Sequence, residues 1–136
     1  MIMTPDEGAL EILEAYFLNV DLTLKLFTND IEPADINTAS SYTEATGGDY
    51  VSISLNAGGW FSGIEEGIAQ VNQDVVTFSF TGPLTTHPAV YGYYVVNPIT
   101  GKVIFSERLA TPITPLNSGD IINITPIYKL SKGTPT

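Results

Sequence analysis

"VYGYYVVNPITGKVIFSERL", residues 90–109, decides the fold, because it reads as two strands joined by a purpose-built turn. Asn97 suits the first turn position, Pro98 presets the φ of the second, and Gly101 supplies a left-handed residue before the return strand. Both arms are rich in the β-branched and aromatic residues that fit a pleated surface. They are also apolar on both faces, whereas a strand on the skin of a soluble monomer alternates apolar and polar. With Val96 opposite Val103, the register pairs Tyr94 with Phe105 and Gly92 with Glu107 on one face. The other face pairs Val95 with Ile104, Tyr93 with Ser106 and Tyr91 with Arg108.

The first face reads as core. The second holds two tyrosines, two aliphatic residues and the sole arginine, with Arg108 placed to lie over Tyr91 as a cation–π pair. Tyrosine and arginine favour interface centres. Three covers fit this face: a helix or loop of the same chain, a second subunit, or an aromatic-binding ligand such as a sugar. Tyr91, Tyr93, Val95, Ile104 and Arg108, with Phe17 from the preceding helix, are therefore the candidate oligomer or partner interface.

The rest of the chain supports a β domain. Its 136 residues suit a single domain, 1–136, and only 15% are charged, against about 25% in typical globular domains. Strands are expected at 21–27, 50–56, 74–81, 90–96, 103–109 and 120–130, separated by Gly- and Pro-rich turns. "DLTLKLF" (21–27) alternates, with Leu22, Leu24 and Leu26 on one face. Gly58, Gly59 and Gly63 place Trp60, the only tryptophan, in a loop or bulge. A polar connection of about twenty residues runs from Thr28 to Asp49, a length that usually carries a task or crosses between sheets.

One helix is expected, 4–18, with Thr4, Pro5 and Glu7 forming a capping box and a wide apolar stripe along Ala9, Leu10, Ile12, Leu13, Tyr16, Phe17 and Val20. The fold class is thus mainly β: an antiparallel β-sandwich over 21–131, jelly-roll-like or Greek-key, with one N-terminal α-helix and a mobile tail at 132–136.

Charge and composition narrow the function. The net charge is −10 and the five basic residues are scattered, so direct nucleic-acid binding is not expected. No segment has the ~18 consecutive apolar residues of a membrane span. The opening residues lack the basic n-region of a signal peptide, and Asn123-Ile124-Thr125 reads as a chance glycosylation sequon in a strand. The absence of cysteine excludes disulfides and thiolate chemistry.

Catalytic groupings are equally sparse. The single histidine, His87, lies in the Thr86–Pro88 turn and cannot alone build a histidine metal site. Asp30, Glu32 and Asp35 lack the glycine and distal glutamate of a calcium loop. Glu65-Glu66 is the other carboxylate grouping, and Gly47-Gly48 lacks the lysine and helix of a phosphate loop. The chain is read as a non-enzyme, with no catalytic residues, metal or cofactor.

Three stretches carry a family resemblance: 21–55, 91–113 and 117–131. Leu24-Lys25-Leu26-Phe27-Thr28-Asn29, then Pro33, "YTEAT" (42–46), "YGYYV" (91–95), Glu107-Arg108 and "IINITP" (121–126) resemble a family of small tailed-phage virion proteins. Leu109 departs from its pattern, which has an aromatic after the Glu-Arg pair, and the segment at Gly47-Gly48 is shorter.

The resemblance implies a virion structural protein, similar to capsid decoration (cement) proteins that sit as trimers on the head and clamp the major capsid protein. It would be made in the host cytoplasm. A tail, adaptor or fibre-associated virion protein is the alternative, and a carbohydrate-binding receptor module the third reading.

Overall fold

The structure, a computed structural model, describes residues 4–130; the expected tail at 132–136 lies outside them. The chain is mainly β, an antiparallel β-sandwich with one N-terminal α-helix. It runs α1 (Asp6–Phe17), β1 (Leu22–Phe27), β2 (Ile53–Leu55), β3 (Phe61–Glu65), β4 (Ile68–Asn72), β5 (Val76–Ser79), β6 (Val90–Val96), β7 (Val103–Ile113), β8 (Ile121–Ile124) and β9 (Ile127–Lys129). The sheets are ordered β2-β1-β6-β7, β3-β4-β9 and β5-β8. The chain divides into two compact units. Among the described residues, one comprises those up to Asp21, Leu55–Val76 and those from Thr125 on, the other Leu22–Ser54 and Thr77–Ile124.

In the first unit α1 packs on β3 and β4. It buries Ala9, Leu13 and Phe17, one side of the expected stripe. Its start differs from expectation: Pro5 is the residue flanking the helix, and no side chain caps it. The Ala9 amide donates to the Pro5 carbonyl instead (2.9 Å).

Phe17 meets the rings of Trp60 and Tyr128 at 4.9 and 5.3 Å between centroids. Trp60 lies outside the strands, as expected, but its side chain is buried in this core, just before a β3–β4 hairpin that the glycine-rich stretch concealed. That hairpin turns on Glu66 and Gly67, both with positive φ (52° and 75°), the requirement of a type I′ turn. The expected strand 120–130 is two strands, broken at Thr125-Pro126, because proline cannot donate to a ladder.

In the second unit β1 pairs antiparallel with β6, with Leu22, Leu24 and Leu26 buried as expected. Tyr50 ties the two sheets. Its ring stacks on Phe78 of β5 at 5.8 Å, while its hydroxyl accepts from the Leu26 amide of β1 (3.1 Å) and donates to Glu44 (2.9 Å). The connection 28–49 is not strand but a strap. It contains a 3₁₀ turn at Ala39–Ser41 and bridges Phe27 to Glu44.

The β6–β7 turn forms as read. Asn97 Oδ1 accepts from the Ile99 amide (2.9 Å), Gly101 has φ +74°, and the Asn97 amide donates to the Lys102 carbonyl (2.9 Å). Val96 faces Val103, but a bulge follows, so Val95 faces Phe105, Tyr94 faces Ser106, Tyr93 faces Glu107 and Gly92 faces Arg108. The uniform register expected from the sequence is therefore wrong by one residue beyond the turn. A one-residue slip reassigns every facing pair.

Candidate functional site

The strap 28–49 lies over one face of the β6–β7 hairpin, and its attachment can be followed residue by residue. Asn29 spans the strap: its side chain donates to the Ser41 carbonyl (2.9 Å) and accepts from the Thr43 amide (2.8 Å). That holds Tyr42 inward, where its ring stacks on Tyr94 at 4.8 Å with the planes 14° apart. The Tyr42 and Ser106 hydroxyls share a hydrogen bond of 2.7 Å. Phe27, Tyr42, Tyr94 and Val96 form a buried cluster, with Ile31, Tyr91 and Val103 packed against it.

Arg108 closes the other end. Its Nη1 lies 2.6 Å from Asp30 Oδ1 and 3.2 Å from the Ile31 carbonyl, and its Nε lies 3.3 Å from Glu32 Oε1. The guanidinium also sits 5.2 Å from the centroid of the Tyr91 ring, the expected cation–π pair. The hydrogen bond to Asp30, followed by the charges of Asp30 and Glu32, raises the guanidinium above its already high ordinary value. Asp30 and Glu32, weighed above as calcium ligands, are thus ion-pair partners of an arginine.

The six interface candidates separate accordingly. Tyr93 is 3% exposed and Val95 is fully buried, so neither offers a partner any surface in this fold. Burial raises the Tyr93 phenol, helped by the charge of Glu107. Phe17 is 2% exposed, inside the helix–sheet core of its unit. Tyr91 and Arg108 are half-buried against the strap, and Ile104 is half-buried beside the bulge. Tyr93, Val95 and Phe17 are thus corrected as surface candidates, and the chain's own strap packs against Tyr91 and Arg108. The sequence could not separate the covers, because a strap and a subunit demand the same apolar, Tyr- and Arg-bearing surface.

Two other features were missed. An open depression of about 380 Å³ lies between Pro33, Ala34 and Asp35 of the strap and Val103–Ser106 of β7. Lys25, Glu44 and Tyr50 form a linked polar group, with Lys25 Nζ 3.5 Å from Glu44 Oε1. Desolvation, with the charge of Glu44, pushes the neighbouring Tyr94 phenol up to about 12. Among the described residues no three His, Cys, Asp or Glu side chains are grouped to hold a metal ion. No described helix is long and apolar enough to cross a membrane.

No protein-family model, no curated protein and no solved structure matches the chain.

Proposed function

We propose that the chain is a non-enzymatic virion structural protein, in the first place a capsid decoration (cement) protein that binds the major capsid protein of a tailed phage and associates with itself. The support is the spatial convergence of the residues that carry the resemblance. Asn29, Tyr42, Glu44, Tyr91, Tyr94 and Arg108 come from stretches separated by up to 79 positions. They meet at the strap and its seat: Asn29 braces the strap backbone beside Tyr42, Tyr42 stacks on Tyr94, Arg108 lies over Tyr91, and Glu44 ties the strap to Lys25 and Tyr50. A pattern spent on clamping a strap to a hairpin marks a scaffold whose shape is the working part. Proteins of that kind act through contact surfaces, for which the low charge and the exposed Ile36, Val51, Phe61 and Ile127 leave room.

The test pairs light-scattering mass of the pure protein with co-sedimentation on empty heads of the phage that encodes it. A self-associating protein that pellets with heads is expected. A monomer that ignores heads refutes the proposal, and pelleting with tails alone moves it to the tail or adaptor alternative.

A further inference from the structure

The β3–β4–β9 sheet has one face against α1 and one without a described cover. Ala69 and Val71 are fully buried on the helix side, where the register also places Tyr128 and the more exposed edge residues Ser62 and Ile64. The intervening residues point the other way: Phe61, Asn72 and Ile127 in one row, Gly63, Gln70 and Lys129 in the next, Glu65 and Ile68 in the third. Phe61 is 56% exposed, Ile127 44% and Ile68 38%. Glu65 lies on one edge strand and Lys129 on the other, so the face carries opposite charges on opposite edges, with Asn72 and Gln70 of the central strand among its apolar residues.

We infer that this outward face binds a second copy of the chain, face to face about a two-fold axis parallel to the strands. The inference rests on the self-association part of the proposed function and assigns it a surface. The axis lays β3 of one copy over β9 of the other and keeps the rows in register. Phe61 then covers the partner's Ile127, and Ile127 covers the partner's Phe61. Ile68 meets the partner's Ile68. Lys129 lies over the partner's Gly63, where a Cβ would find nothing within 4 Å. It is also one row from the partner's Glu65, within reach of an ion pair. No like charges oppose, because each Glu65 faces away from the other. A two-fold contact needs this kind of self-complementarity.

The footprint sets the strength. Three strands about 4.8 Å apart, two of five residues and one of three, at about 3.4 Å per residue, cover at most roughly 14 by 17 Å. That falls well short of the ~800 Å² per partner of a standard interface, so the association is weak and concentration-dependent.

Sedimentation equilibrium of the full chain, from low micromolar to near-millimolar protein, is the experiment. The natural chain is expected to move from monomer toward dimer. Phe61→Asp and Lys129→Glu should each weaken dimerisation by ~10-fold or more, while Lys129→Glu with Glu65→Lys restores it, since the swap re-forms both charge pairs. Far-UV circular dichroism identical to the natural chain confirms that the variants fold. Self-association unchanged in Phe61→Asp, or a double swap no better than Lys129→Glu, overturns this surface and leaves the self-association proposal standing. A natural chain monomeric at every concentration overturns both, while co-sedimentation with heads still tests the capsid reading.

Discussion

Replacing Gly92 by alanine should destabilise the protein severely. Gly92 sits in β6 between Phe27 of β1 and Arg108 of β7. A Cβ there would collide with the Glu107 carbonyl oxygen and with Phe27 Cζ, and would lie 2.6 Å from Phe27 Cε1. Neither neighbour yields cheaply. The carbonyl belongs to the β6–β7 ladder, and Phe27 is fully buried, with its ring 5.0 Å from Tyr42 and 6.4 Å from Tyr94.

Overpacking of a tight core costs about 1–3 kcal/mol. Displacing the Phe27 ring as well moves the cost toward the ~3–5 kcal/mol of losing a buried phenylalanine. A loss of about 3 kcal/mol is expected, a large share of the ~5–15 kcal/mol that holds a domain. Urea unfolding reads it directly, as a lower midpoint at unchanged slope. Gly63→Ala is the control: nothing lies within 4 Å of its added Cβ, and its effect should stay within about 0.5 kcal/mol. A Gly92→Ala loss below about 1 kcal/mol would refute the close approach of β6 to Phe27.

Arg108→Ala should speed amide exchange across 30–44 and leave the mass of the protein unchanged, because Arg108 holds the strap of its own chain; a drop in mass would return it to an interface. Glu66→Asn should stabilise by about 0.5–1 kcal/mol in urea unfolding, since Glu66 has φ 52° and asparagine tolerates that region. At high pH the buried tyrosines should cost stability. The Tyr94 phenol titrates near 10 when unfolded and is pushed up to about 12 in the fold, with Tyr50 and Tyr93 raised as well. The unfolded chain then binds fewer protons than the native one, so the stabilisation is present below pH 10 and lost as pH rises toward about 12. Tyrosinate absorbance of the folded protein, read against the unfolding midpoint across that range, checks it.

The elements legible in the sequence were those with a clear local signal. The β6–β7 turn has Asn97, Pro98 and Gly101 in the positions that their chemistry dictates, and β1 has a strict two-residue alternation. The bulge after Val96 had no such signal, because Val-Ile-Phe fits a pleated strand in either register. The β3–β4 hairpin was missed since Gly58, Gly59 and Gly63 read as breakers, and its I′ turn uses Glu66 where asparagine is the usual cue.

The candidate surface was legible in its chemistry and not in its partner. Arg108 over Tyr91 follows from the sequence, yet Asp30, Glu32 and Tyr42, which complete that seat, lie more than 60 positions from Arg108, beyond any local pattern. Apolar residues on both faces of β6 announce burial, and only the fold says by what.

Oxidative footprinting of the tyrosines, at a concentration where light scattering gives the monomer mass, tests the covered hairpin most directly. In the monomer Tyr93 and Tyr94 should be protected and Tyr91 only partly so, while exposed Phe61 is oxidised readily. Oxidation of Tyr93 and Tyr94 in the monomer, with protection appearing only on self-association, would contradict a hairpin covered by its own chain.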